Sequence, residues 1–103
     1  MLHFRKGTGR LCIGGLRVGG AKLAYEITID ERGDGTSSVT GNMRVSEVAA
    51  ARLRKTTSKV TLEVEVNQGR TVRAELEIEG EAQTPITSFC VKNVAEFYRG
   101  RGL

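Results

Sequence analysis

The sequence predicts a mainly β fold: a small six-stranded antiparallel barrel or sandwich, with one helix between two three-stranded halves. Three observations lead there. Apolar and polar residues alternate strictly over residues 59–79, the period of a strand with one buried face. A second alternating stretch, 22–45, is interrupted by a turn holding Gly33 and Gly35. Between them, residues 46–55 drop the alternation for an alanine-rich run, which favours helix. A chain of 103 residues is the size of one domain, and the order βββ-α-βββ lets a sheet close and hide its edges.

The elements follow in chain order. Residues 1–9, basic and spaced by Gly7 and Gly9, read as a mobile arm. Residues 10–18 read as the first strand. Its apolar parity changes at Gly14-Gly15, from Leu11 and Ile13 to Leu16 and Val18, as a bulge would require. Leu23, Tyr25, Ile27 and Ile29 then form one face of a strand, residues 31–35 turn the chain, and Val39, Met43 and Val45 return. Gly41 falls on the inward parity of that strand, where a glycine marks a bulge or the close approach of another backbone, and a sharp bend is expected there. Ser46 can cap the helix, Glu47 suits its positive end, and Arg52, Arg54 and Lys55 suit its negative end. Its apolar stripe reads as Val48, Ala49 and Leu53.

In the next hairpin every inward residue is even-numbered, from Val60 to Val66 and from Val72 to Ile78. Cross-strand partners share a face, so their numbers sum to an even value, which predicts a three-residue loop, Asn67-Gln68-Gly69, with Val66 facing Arg70 and Glu63 facing Arg73. Residues 87–91 read as the last strand, started off a central ladder position by Pro85. Val91, Val94, Ala95 and Tyr98 recur at helical spacing, predicting a short C-terminal helix and a frayed tail at 99–103.

Composition narrows the function. No run reaches the 18 apolar residues of a membrane helix, and the first twenty residues hold no apolar signal core. Membrane insertion and secretion are therefore not expected. Cys12 and Cys90, each inside an apolar run, read as reduced core residues of a cytoplasmic protein. Sixteen basic and twelve acidic residues give +4. The charge is uneven: residues 1–24 hold five cations and no acid, 44–59 are again basic, and 60–81 carry six glutamates. Kept apart in space, these blocks would give the molecule a basic side.

Catalytic sets are missing. The one histidine, His3, allows no histidine triad and no His-rich metal site. No serine stands in a Gly-x-Ser-x-Gly elbow, and the glutamates repeat every second residue on an exposed strand, where they solubilise. No cofactor is expected. The glycines at 7, 9, 14, 15, 19 and 20 match neither the dinucleotide fingerprint nor the P-loop.

Arg5 and Arg10, followed by Thr36-Ser37-Ser38-Val39-Thr40-Gly41, resemble the PilZ family, six-stranded barrels that bind the bacterial messenger cyclic di-GMP with Arg-x-x-x-Arg and Asp/Asn-x-Ser-x-x-Gly. Ser38 and Gly41 match that pattern. The two arginines stand one residue too far apart, Thr36 replaces the acid or amide, and an apolar strand fills the interval. The resemblance implies a barrel and a cyclic dinucleotide ligand held by the arm.

The expected function is a non-catalytic interaction module, binding a protein partner or assembling with itself through a sheet face. The alternative is a phosphate binder, for a cyclic dinucleotide or nucleic acid, using Arg5, Lys6, Arg10, Ser38, Gly41, Arg52 and Lys55. Only five aromatics are present, and Tyr25 and Phe89 fall on core patterns, leaving few platforms on which bases could stack.

Overall fold

The computed structural model describes residues 2–18, 22–34, 36–67 and 70–94. It contains β1 (Leu2–Ile13), β2 (Leu16–Arg17), β3 (Leu23–Glu31), β4 (Ser37–Arg44), α1 (Glu47–Lys55), β5 (Val60–Asn67), β6 (Arg70–Ile78) and β7 (Ile86–Val91). Neighbours run β1-β3-β4-β7-β6-β5, and β5 returns to β1, so six antiparallel strands close a barrel with β2 outside it. Closure through residues 10–13 of β1 covers there an edge that an open sheet would leave to water. The expected C-terminal helix and tail fall from residue 95 onward, outside the described residues.

Alternation fills the barrel as predicted. Leu11, Ile27, Met43, Leu62, Ala74 and Phe89, from six strands, are all almost fully buried. In the β5–β6 hairpin Glu63 pairs with Arg73 and Val64 with Val72, the expected register. Near the tip the register shifts between Glu65 and Asn67, and Asn67 rather than Val66 faces Arg70. The odd residue is thus taken up as a bulge inside β5, where a bulge can absorb it while the inward parity below stays intact.

Gly41 keeps β4 in unbroken register with β3 and β7, so the strand does not bulge there. The glycine makes room instead. A Cβ on it would stand 2.9 Å from the Phe89 ring and collide with the Glu26 carbonyl. Phe89, fully buried, fills the barrel through that gap.

α1 starts where its cap predicts, with Ser46 Oγ accepting from Ala49 N at 3.2 Å. Its buried stripe is Ala49, Ala50 and Leu53, while Val48 is 70% exposed, correcting the expected stripe by one residue. The helix is held at the barrel end where β4 finishes. Arg54 Nε donates to Ala82 O at 2.7 Å, Thr84 Oγ1 to Glu47 Oε1 at 2.9 Å, and Val45 N to Pro85 O at 2.9 Å.

The opening of the chain differs most from expectation. Residues 2–9, read as a mobile arm, form the first part of β1 and pair with β3 from Leu2↔Asp30 to Gly9↔Leu23. Backbone pairing outweighs the glycines because a long partner strand lies alongside. Gly14 and Gly15 are not a bulge but a reversal, with φ of 60° and 86°, and Ile13 pairs with Leu16 across them. Both glycines sit in the left-handed region that a two-residue hairpin turn requires. Such a turn pairs an odd residue with an even one, which explains the parity change.

Both cysteines also depart from the core reading. Cys12 and Cys90 are free and half-buried, because their buried neighbours Leu11, Ile13, Phe89 and Val91 claim the inward parity. β1 and β7 are not adjacent in the barrel, so the two thiols stay apart.

Candidate binding surface

The seven residues singled out from the sequence do not converge. β1 alternates sides along its length, with half-buried Arg5 on the odd, inward-facing parity and Lys6 on the even, outward one. Arg10 is also even. A spacing of four along a strand keeps two side chains on one face, whereas a spacing of five places them on opposite faces. Arg5 and Arg10 therefore cannot grip one ligand as a pair. Ser38 lies on the outer parity of β4, across from Asp30, and Gly41 lies inward beneath Phe89. Arg52 and Lys55 are exposed on α1, beyond the far end of β4. Six residues of strand at roughly 3.3 Å each put about 20 Å between that end and Ser38.

The charge blocks also end up interleaved. Closure sets basic β1 against acidic β5, with Arg10 opposite Glu63. Lys59 Nζ lies 3.2 Å from Glu75 Oε1, Arg54 Nε 3.5 Å from Glu81 Oε1, Arg73 Nε 4.0 Å from Glu63 Oε1, and Lys6 Nζ 3.4 Å from Glu26 Oε1. The segregation visible along the chain is lost because strands distant in sequence become neighbours. These exposed pairs contribute little to stability, but they leave no continuous basic side.

Two other features do come together. The first is a groove of about 390 Å³ on the outer wall of β1, β3, β4 and β7. Cross-strand pairing lines up Lys6, Glu26 and Asn42 as one rim, and Ala24, Arg44 and Ile86 as the next row. Gly7 and Tyr25 form the floor, the tyrosine hydroxyl lying where a Cβ on Gly7 would be 2.7 Å away. Among the described residues Arg44 makes no ion pair.

The second feature is the outer row and open edge of β1. β5 pairs with only residues 10–13 of this strand. At Gly9 the two strands crowd, so that a Cβ there would collide with the Glu63 carbonyl. Beyond it they part, and among the described residues nothing pairs with the second edge of residues 2–8. On the outer face of that stretch Leu2 is 56% and Phe4 73% exposed. Two large apolar side chains at i and i+2 on a surface strand form the kind of patch that marks a contact site. Sequence reading missed both by treating residues 1–9 as an arm; the alternation of Leu2, Phe4 and Lys6 with Arg5 was the available signal.

Chemistry is sparse around these features. Among the described residues no cluster of His, Cys, Asp and Glu could hold a metal ion, and no buried side-chain N or O atom lacks a partner. The buried Thr87 hydroxyl, for example, donates to Gln83 O at 2.7 Å and accepts from Gln83 N at 3.0 Å. Cys90 Sγ donates to Glu79 Oε1 at 2.8 Å. That bond, helped by desolvation and the nearby glutamates, pushes the thiol up to about 11, the reverse of what an activated nucleophile needs. No helix among the described residues is long and apolar enough to cross a membrane.

Compared with known protein families, curated proteins and solved structures, the chain gives no significant match.

Proposed function

We propose that this barrel is a binding module with no catalytic chemistry of its own, and that it engages a protein partner along β1. The observation that carries this reading is the half of β1 that no described strand covers on its second edge, with Leu2 and Phe4 exposed among the described residues. Among the described residues every buried side-chain N and O atom has a partner, which supports a structural rather than a reactive interior.

Site-specific photo-crosslinking in native cells tests it. A benzophenone amino acid at position 4 is expected to give an adduct of one defined mass, while the same probe at exposed Glu77 on β6 gives none. Equal labelling at both positions, or none at position 4, would overturn the reading.

A second reading, a site for a small anionic molecule, shifts from the arm and helix to the groove, where Arg44, in no ion pair among the described residues, stands beside Asn42 and Lys6. Calorimetric titration with cyclic di-GMP and with a nucleoside monophosphate addresses it. Binding lost in Arg44→Ala supports the groove; no heat from either compound removes it.

A further inference from the structure

We propose that the groove on the outer wall of β1, β3, β4 and β7 takes a small monocarboxylate with a flat apolar body, an arylcarboxylate in chemical class; this rests on the groove reading above. Strand pairing fixes the layout of the site. One row across the strands runs Lys6, Glu26 and Asn42, and the next runs Ala24, Arg44 and Ile86. Asn42 and Arg44 share the outer face of β4, two residues and roughly 7 Å apart, so one strand supplies an amide and a guanidinium to the same trough.

Charge selects the anion. Lys6 Nζ lies 3.4 Å from Glu26 Oε1, and that pair adds no net charge to the rim. Among the described residues Arg44 makes no ion pair and the Asn42 amide no hydrogen bond. The groove therefore carries one uncompensated cation, and a guanidinium meets the two oxygens of a carboxylate with two parallel N–H donors. A phosphate monoester carries a charge of about −1.5 to −2 at neutral pH. It can meet Arg44 too, but its second charge finds only a lysine that Glu26 already neutralises.

Shape and polarity select the body. Across the strands Arg44 is flanked by Ala24 and by Ile86, which is 41% exposed. Gly7 and the buried Tyr25 lie on the inward parity, so the floor between the two rows is low. The volume of about 390 Å³ stands at the small end of the range for small-molecule sites, the scale of one or two rings. A ligand with one carboxylate on Arg44 and an apolar body along Ala24 and Ile86 covers both features at once.

The test follows backbone amide chemical shifts of the intact protein by NMR, with naphthoate, naphthamide, naphthyl phosphate and acetate as probes. Naphthoate is expected to move the amides of residues 24–26, 42–44 and 86–88 together, with a Kd at or below about 1 mM for a ligand of this size. Naphthamide, without the charge, and acetate, without the rings, are each expected to bind at least about tenfold more weakly. Naphthyl phosphate is expected to bind at least about threefold more weakly. Arg44→Ala should weaken naphthoate at least about tenfold, and Arg44→Lys, with the charge but not the fork, at least about threefold. Ile86→Thr, which keeps a β-branched residue in the strand, should weaken it about threefold. Unmoved amides outside the groove report that each variant keeps the fold. Equal binding of naphthamide, or undiminished binding of naphthoate to Arg44→Ala, would overturn the proposal. Naphthyl phosphate binding more tightly than naphthoate at the same amides would remove the carboxylate and leave the anion site standing; no shift of these amides with any of the anions would remove both.

Discussion

Residues 10–13 and residues 2–8 belong to one unbroken strand, yet they live under opposite constraints. The first group is flanked on both edges, by β2 and β5, and buries Leu11 and Ile13. The second is flanked, among the described residues, by β3 alone and turns Leu2 and Phe4 outward. The same alternating pattern serves a core in one half and a surface in the other. What separates them is Gly9, where the Glu63 carbonyl comes so close that only a residue without Cβ fits.

The comparison can be broken at its deepest point first. Leu62 is fully buried and pairs with Leu11 across the closure, so Leu62→Ala is expected to destabilise the protein by about 3–4 kcal/mol in urea denaturation. Phe4→Ser should stay within about 0.5 kcal/mol of the parent. Similar losses from the two would show that both halves of β1 are built into the core.

Glycine substitutions probe the boundary with a smaller expected effect. Gly9→Ala pushes a methyl group into backbone, which cannot step aside, and should destabilise by about 2–3 kcal/mol. Gly7→Ala meets the hydroxyl end of the Tyr25 side chain, which can shift, and should cost about 1 kcal/mol or less. The reverse ranking would move the boundary toward the N-terminus.

The smallest effect lies across the barrel on β7. The hydrogen bond to Glu79, with desolvation and neighbouring carboxylates, raises the Cys90 thiol from 9.0 to about 11. Its folded value lies above its unfolded one, so the protonated thiol adds stability that is fully present below pH 9 and fades as pH rises through about 11. In iodoacetamide labelling at pH 8.5, Glu79→Gln is expected to speed alkylation of Cys90. An unchanged rate would mean that the Sγ–Oε1 bond does not persist in solution.

Much of the fold was legible because it is written in local alternation. Val60, Leu62 and Val64 against Val72, Ala74 and Leu76 set their own register, and Ser46 with Glu47 marked the start of α1. The misreadings share a cause, since each depended on what lay alongside. Glycines at 7 and 9 indicate freedom in an isolated segment and close packing beside a partner strand. Gly14-Gly15 shifts parity either as a bulge or as a reversal, and only the pairing of Ile13 with Leu16 separates the two. The candidate site was less legible still. Its residues were grouped by charge along the chain, and strand alternation then placed Arg5 and Arg10 on opposite faces while closure set the basic and acidic blocks side by side.

By itself the sequence determined the mainly β class, the helix between two three-stranded halves, the β5–β6 register below its tip and most of the inward residues, because hydrophobic alternation and capping act over a few neighbours. The tertiary structure alone decided that β1 closes on β5 over four residues and then departs from it, since contacts between residues 10–13 and 60–63 join segments about fifty positions apart. It therefore also decided which part of β1 has no described strand on its second edge.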